Sequence, residues 1–180
     1  LDDLDREAII PVRWTIRTTP GLALANLPVA PPDPPRGVST AAIRLQAGPG
    51  STNADVFTHW HFDFTHVFTS VRFWARSGTA EPRDLIVAVT SIGAFDTDYF
   101  EALTAQRPWP AHRVTLGPAW QLYTIDLASL APLGPGTPQP VVGPLGPGQG
   151  AMMPFIVKGG DPYDVWIDDI DGACRPGECP

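Results

Sequence analysis

The stretch Val71 to Ser77, VRFWARS, sets Val71, Phe73 and Ala75 on one side of an extended chain and Arg72, Trp74 and Arg76 on the other. Successive side chains of a strand leave opposite faces, so a period of two marks a half-buried strand and not a helix. The same period runs outward in both directions. Upstream, Thr58 to Phe64 (THWHFDF) alternates Trp60, Phe62 and Phe64 with His59, His61 and Asp63. Downstream, Gln121 to Leu127 (QLYTIDL) sets Tyr123, Ile125 and Leu127 against Leu122, Thr124 and Asp126. Leu85 to Ile92 (LIVAVTSI) is apolar enough throughout for a central strand covered on both faces. Met153 to Lys158 and Asp164 to Ile170 supply two further strands, and others fit around Val12 to Thr18 and Ala41 to Leu45. One short helical turn fits, at Asp98 to Gln106.

Composition supports the same class. The chain has 22 prolines and 17 glycines among 180 residues, which nearly excludes long helices because proline can neither continue a helix nor donate within a central strand. Two stretches are too rich in both for regular structure and read as loops: residues 27–37 (LPVAPPDPPRG) and 132–150 (PLGPGTPQPVVGPLGPGQG). Many short strands separated by such turns argue an all-β chain, a β-sandwich or jelly roll. The expected organisation is one domain over residues 1–180, with these two internal loops and a short tail at 172–180.

The net charge is −7, and Lys158 is the only lysine beside the arginines. No basic stripe is available to neutralise phosphates, so nucleic acid and anionic membranes are poor partners. No apolar run is long enough to span a bilayer. The opening LDDLDREAII lacks the basic flank and apolar stretch of a signal peptide, so export would imply a mature form. Cys174 and Cys179, in CRPGEC, have a spacing that suits a small disulfide-closed turn, the alternative being two thiols on a frayed tail. Such a bridge stabilises by roughly 2 kcal/mol in the chain-entropy model and implies an oxidising compartment.

The order of segments resembles a known family. The acidic opening LDDLD, then VRFWARS, LIVAVTS, AWQLYTIDLASL and PYDVWIDDI resemble the galactose-binding-like jelly roll of family 11 carbohydrate-binding modules and the related CIA30-type domains. Leu4 and Asp5 stand where that family usually has Phe and Glu, and the Pro-rich loops are longer than in the family pattern. The resemblance implies a polysaccharide ligand, a secreted or cell-surface location and a structural Ca²⁺. Carried over by position, the ion takes Asp5 or Glu7 together with Asp168 or Asp169. The electrostatics agree: if the acidic first and last strands pair, opposed carboxylates repel, and a hard cation with oxygen ligands relieves them. A solvated acidic edge that discourages aggregation is the alternative reading.

His59 and His61, two apart on a strand, leave the same face, which is how a strand presents two imidazoles to a transition metal. A metal site of the cupin type would also need a glutamate a few residues on and a matching histidine near the end, and the chain offers neither. The pair reads better as polar residues hydrogen-bonding to ligand hydroxyls.

A sugar presents an apolar C–H face and a rim of hydroxyls, so its site needs flat aromatic platforms flanked by donors and acceptors. Of the six tryptophans, Trp120 and Trp166 match family positions usually spent on the core, and Trp60 lies on the apolar side of its strand. Trp74 shares its face with Arg72 and Arg76, while Trp109 (in RPWPAH) and Tyr99 (in FDTDYFE) fall in loops. The expected carbohydrate-binding residues are therefore His59, His61, Arg72, Trp74, Arg76, Tyr99 and Trp109, with a β-glucan-like chain across one open sheet face. Two other classes compete. One is a jelly-roll enzyme, either a His-metal enzyme or a polysaccharide lyase in which His59, His61, Arg72 and Tyr123 supply base, acid and charge neutralisation if their strands are neighbours. The other is a surface structural or assembly domain.

Overall fold

In the computed structural model, which describes residues 14–18, 28–29, 42–50, 54–60, 68–88, 90–91, 110–132 and 151–174, the alternating stretch at residue 71 lies within a ten-residue strand. In chain order the strands are β1 (Trp14–Thr18), β2 (Pro28–Val29), β3 (Ala42–Ala47), β4 (Ala54–Trp60), β5 (Phe68–Ser77) and β6 (Arg83–Ala88). They continue as β7 (Thr90–Ser91), β8 (Pro110–Leu116), β9 (Gln121–Asp126), β10 (Ala131–Pro132), β11 (Ala151–Val157) and β12 (Tyr163–Cys174). Among the described residues there is no α-helix. A 3₁₀ turn at Leu127–Ser129 ends β9, where the Asp126 carboxylate accepts from the Ala128 N–H at 2.9 Å. That bond satisfies one of the donors a helix start leaves open.

The strands form two antiparallel sheets. One runs β1-β4-β11-β6-β8-β10, with β7 also pairing β11, and the other runs β2-β3-β12-β5-β9. Their facing sides meet in one apolar core: Ile43, Leu45, Val71, Phe73, Val165 and Ile167 come from the five-stranded sheet, and Leu85, Val87, Leu116, Met153, Phe155 and Val157 from the other. Phe73 and Phe155 join the sheets edge to face, centroids 5.1 Å apart and planes at 84°. Burying each such ring contributes roughly 1.5–3 kcal/mol. The chain is thus a β-sandwich, as the period of two implies.

Local sequence explains most of the strand behaviour. Leu85 to Ala88 is buried throughout: β6 is interior, flanked by β11 and β8, with Leu85 and Val87 in the core between the sheets and Ile86 and Ala88 buried on the other face. Pro154 sits in β11, also interior, where a missing N–H should break the ladder. It falls where the neighbour on one side of β11 changes: Ala151 and Met152 pair with β7, whereas Phe155 and Ile156 pair with β6.

Three expectations need correction. Residues 28–29, placed in a loop, form the edge strand β2 against Ile43 and Ala42, a position that tolerates proline. Pro132, at the start of the second loop, likewise pairs with Pro110 at a sheet edge. The expected tail begins inside a strand, since β12 pairs with β5 as far as Cys174. Among the described strands, β1 lies against β4 and β12 lies between β3 and β5 in the other sheet; the pairing considered for the last strand involved the acidic opening. The expected helical turn at 98–106, the acidic opening and most of the two Pro-rich stretches lie outside the described residues.

Candidate functional site

On the five-stranded sheet the core takes Val71, Phe73 and Ala75 of β5, so Arg72, Trp74 and Arg76 must leave by the opposite face. Register extends that face sideways. Trp74 stands across from Asp168 of β12 and Leu122 of β9, Arg72 across from Thr124, and Trp166 of β12 lies between Arg44 of β3 and Arg76. The outer face of this sheet therefore carries alternating aromatic and guanidinium groups.

Two cations cover Trp166. The Arg44 and Arg76 guanidinium carbons lie 4.8 and 5.4 Å from the centre of its ring, and Arg76 is also 5.6 Å from the Trp120 ring. These distances are within the range of cation–π attraction. Trp166 is only 5% exposed, although its neighbours Val165 and Ile167 are the ones that face the core between the sheets. Trp166 is thus buried, as expected, but on the side of β12 away from the inter-sheet cluster.

Arg44 is fixed from a second direction. Its Nε and Nη2 donate to the two carboxylate oxygens of Asp164 at 2.9 and 2.8 Å. These hydrogen bonds, with a smaller Coulombic contribution, raise the Arg44 pKa against the opposing effect of burial. Arg72 pairs with Asp171 at 2.5 Å, a largely exposed contact whose stabilising worth is small. Arg76 is held more weakly, with its Nη1 3.5 Å from the Pro118 carbonyl. Among the described residues no acceptor reaches the buried Nε of Arg76 or the buried indole N–H groups of Trp120 and Trp166. A buried donor left without an acceptor costs about 1–3 kcal/mol. Leu122, opposite Trp74 and 45% exposed, adds an apolar surface beside the indole.

The sequence-derived set is divided by the topology. Arg72, Trp74 and Arg76 share one face. The backbone of His59 lies in β4, opposite Met152 in the seven-stranded sheet, so it does not join them on one open sheet face. His61, Tyr99, Trp109, Asp5 and Glu7 lie outside the described residues, and so does Cys179, the expected partner of Cys174. Sequence reasoning missed Arg44, although its place between Ile43 and Leu45 in a period-two segment was the signal for it.

The quartet considered for a lyase does not assemble on one surface. Tyr123 faces the core side, stacked on Phe73 with centroids 5.7 Å apart, and its hydroxyl donates to the Thr115 carbonyl at 3.2 Å. Burial pushes its phenol up, with a hydrogen bond to the Gly117 backbone opposing. Arg72 leaves the opposite side of the same sheet, and His59 belongs to the other sheet.

On β12, Asp168 is fully buried and Asp169 is 8% exposed. Asp169 adopts a left-handed backbone with φ 49°, at a shift in register between Asp168 and Asp171, and its N–H donates to Asp168 at 2.8 Å. Two adjacent buried carboxylates offer the oxygen donors a hard cation requires. Among the described residues no group of three metal-ligating side chains forms, so the remaining donors of the expected set are Asp5 and Glu7.

Several solved structures share this fold. A family 11 carbohydrate-binding module from Clostridium thermocellum, in complex with a β-1,3-1,4-mixed-linked tetrasaccharide, superposes with a TM-score of 0.60 and 14% identity, covering 97% of this chain and 95% of that one. The family 11 module of a cellulosomal cellulase of Clostridium thermocellum gives 0.58 at 12% identity, covering 91% and 89%. A family 61 module in complex with β-1,4-galactotriose gives 0.58 at 11% identity, covering 97% of each chain. No protein-family profile matches the sequence, and no curated protein matches it. At these identities the likeness concerns the fold, and it agrees with the jelly-roll sandwich that the strand motifs resemble.

Proposed function

We propose that this protein is a non-catalytic carbohydrate-binding module that lays a β-glucan-like polysaccharide across the outer face of its five-stranded sheet. The observation that carries the reading is the composition of that face: the half-buried Trp74 with exposed Leu122 beside it, and the half-buried Trp120 next to Arg76. An indole offers a flat surface to the C–H face of a pyranose, and guanidinium and indole N–H groups donate to its hydroxyls. Trp109, Tyr99 and His61, which lie outside the described residues, remain proposed contributors.

The proposal includes a place beside a secreted polysaccharide-degrading enzyme. It is supported by the near-complete overlap with a module that belongs to a cellulosomal cellulase. The test is affinity electrophoresis and pull-down on soluble and insoluble glucans, with and without EDTA, followed by a product assay on the same mixtures. Trp74→Ala should weaken binding by about 1–3 kcal/mol, the cost typical of an aromatic anchor, and should leave the fold intact because the side chain is outside the core. Retained affinity in that variant would move the ligand off this face. Accumulating cleavage products would replace the module reading with the enzyme reading.

A further inference from the structure

The pairing of the arginines points to the kind of glycan. Among the arginines with described side chains, Arg44 faces Asp164, Arg72 faces Asp171, Arg83 faces Asp161 and Arg113 faces Asp84. Arg76 faces no carboxylate among the described residues. It is instead the one set at the centre of the aromatic face, near the rings of both Trp120 and Trp166. We propose that the bound polysaccharide is acidic, and that Arg76 receives the carboxylate of a uronic acid unit in it. This rests on the polysaccharide reading above and narrows it to a β-linked chain carrying carboxylates.

The argument is geometric. Attraction to a ring uses the face of a guanidinium, whereas its hydrogen bonds lie in its plane, so contact with two indoles orients the group without consuming its donors. The in-plane donors at the tip are nearly idle: Nη1 has a carbonyl at 3.5 Å, the outer limit of a hydrogen bond, and Nη2, which is not among the buried atoms, has no hydrogen bond to a described residue. A sugar hydroxyl would accept one such bond. A carboxylate accepts two in parallel from the planar fork and also supplies the missing countercharge. The chain's net charge of −7 does not oppose this strongly. Charges beyond about 8 Å are largely screened at physiological ionic strength; on this face Asp164 and Asp171 are each neutralised by an arginine, and Asp168, across from Trp74, is fully buried and accepts from the Asp169 amide. The adjacent Trp74 and Leu122 would carry the apolar face of the next sugar.

The matched probes are β-1,4-linked glucuronate oligosaccharides and cello-oligosaccharides of equal length, which differ only in bearing a carboxylate or a hydroxymethyl at C6. By isothermal titration calorimetry, the protein should bind the acidic ligand tighter by on the order of tenfold, as expected for a charge-assisted pair. The preference should vanish in Arg76→Gln and persist in Arg113→Gln, on the other sheet. It should also shrink as salt rises from about 50 mM to about 500 mM, which tests the idea in the unaltered protein should Arg76→Gln fold poorly. Equal or tighter binding of the cello-oligosaccharide overturns the acidic ligand and leaves the polysaccharide reading standing. Preference surviving in folded Arg76→Gln, or polyglutamate competing as well as glucuronate, also overturns it. Binding of neither oligosaccharide, nor of any glucan in the electrophoresis panel, removes both readings together.

Discussion

At the scale of single residues, this fold sets phenols and guanidinium groups in environments that have measurable consequences. Tyr163, 2% exposed at the start of β12, has its phenol pushed up to about 12 by burial, with the Arg83 charge near its ring opposing. The neutral phenol is thus the form the fold favours. Below the unfolded pKa, about 10, both states hold the proton and the full stability is present. Between about 10 and about 12 the unfolded chain releases its proton first, so stability falls as pH rises through that window. A two-unit difference corresponds to about 2–3 kcal/mol. Denaturant unfolding followed from pH 9 to pH 12 should show this loss, and Tyr163→Phe should remove most of it. An identical pH profile in the variant would assign the alkaline loss to other groups.

At the scale of elements, the strands meet at junctions that tolerate little change. Gly78, just past β5, donates its N–H to the Asp164 carbonyl at 2.6 Å, and a Cβ built there would occupy the space of the Asp164 carboxylate. That carboxylate cannot easily step aside, because Arg44 holds both oxygens. Gly78→Ala should therefore cost about 1–3 kcal/mol, the usual range for overpacking, and lower the melting temperature by several degrees. A thermal melt unchanged from the parent protein would mean that Asp164 relocates freely. The strands themselves were largely legible in the sequence, since β5, β6, β9, β11 and β12 all fall where alternation or a continuous apolar run placed them. β8 was not. It opens on Pro110, and its inward row of His112, Val114 and Leu116 contains a histidine, so the apolar signal is diluted. Periodicity also cannot say which strands share a sheet. His59 and Trp74 read as neighbours on one polar face, yet the strand order puts β4 and β5 in opposite sheets. Long-range pairing, not local pattern, decides that part of the site, and it also brought Arg44 beside Trp166 across 122 residues.

At the scale of the whole molecule, what remains is how the ends of the chain are tied to the sandwich. We propose that a calcium ion does this, held by Asp168 or Asp169 together with Asp5 or Glu7. The support is the bulge in β12, where one fully buried carboxylate sits beside another that is 8% exposed. Buried carboxylates are costly unless paired with charge or hydrogen bonds, and one Asp168 oxygen already accepts from the Asp169 amide. An ion joining the opening to β12 would bridge nearly the full length of the chain. Its release should then lower the stability of the entire domain and not merely loosen one turn. A ligand that binds only the native state adds about 2.7 kcal/mol when its free concentration is 100 times its dissociation constant. For a chain of this size that is a rise of roughly 5–10 °C in melting temperature. Scanning calorimetry in EDTA and in excess calcium should show such a shift, and Asp169→Ala or Asp5→Ala should each abolish the calcium-dependent part. If Asp169→Ala does so while Asp5→Ala and Glu7→Ala both leave the shift in place, the ion belongs to the β12 bulge and the N-terminal carboxylates are not its ligands. A melting temperature indifferent to both EDTA and calcium removes the ion, leaving the buried pair to be stabilised by the protein alone.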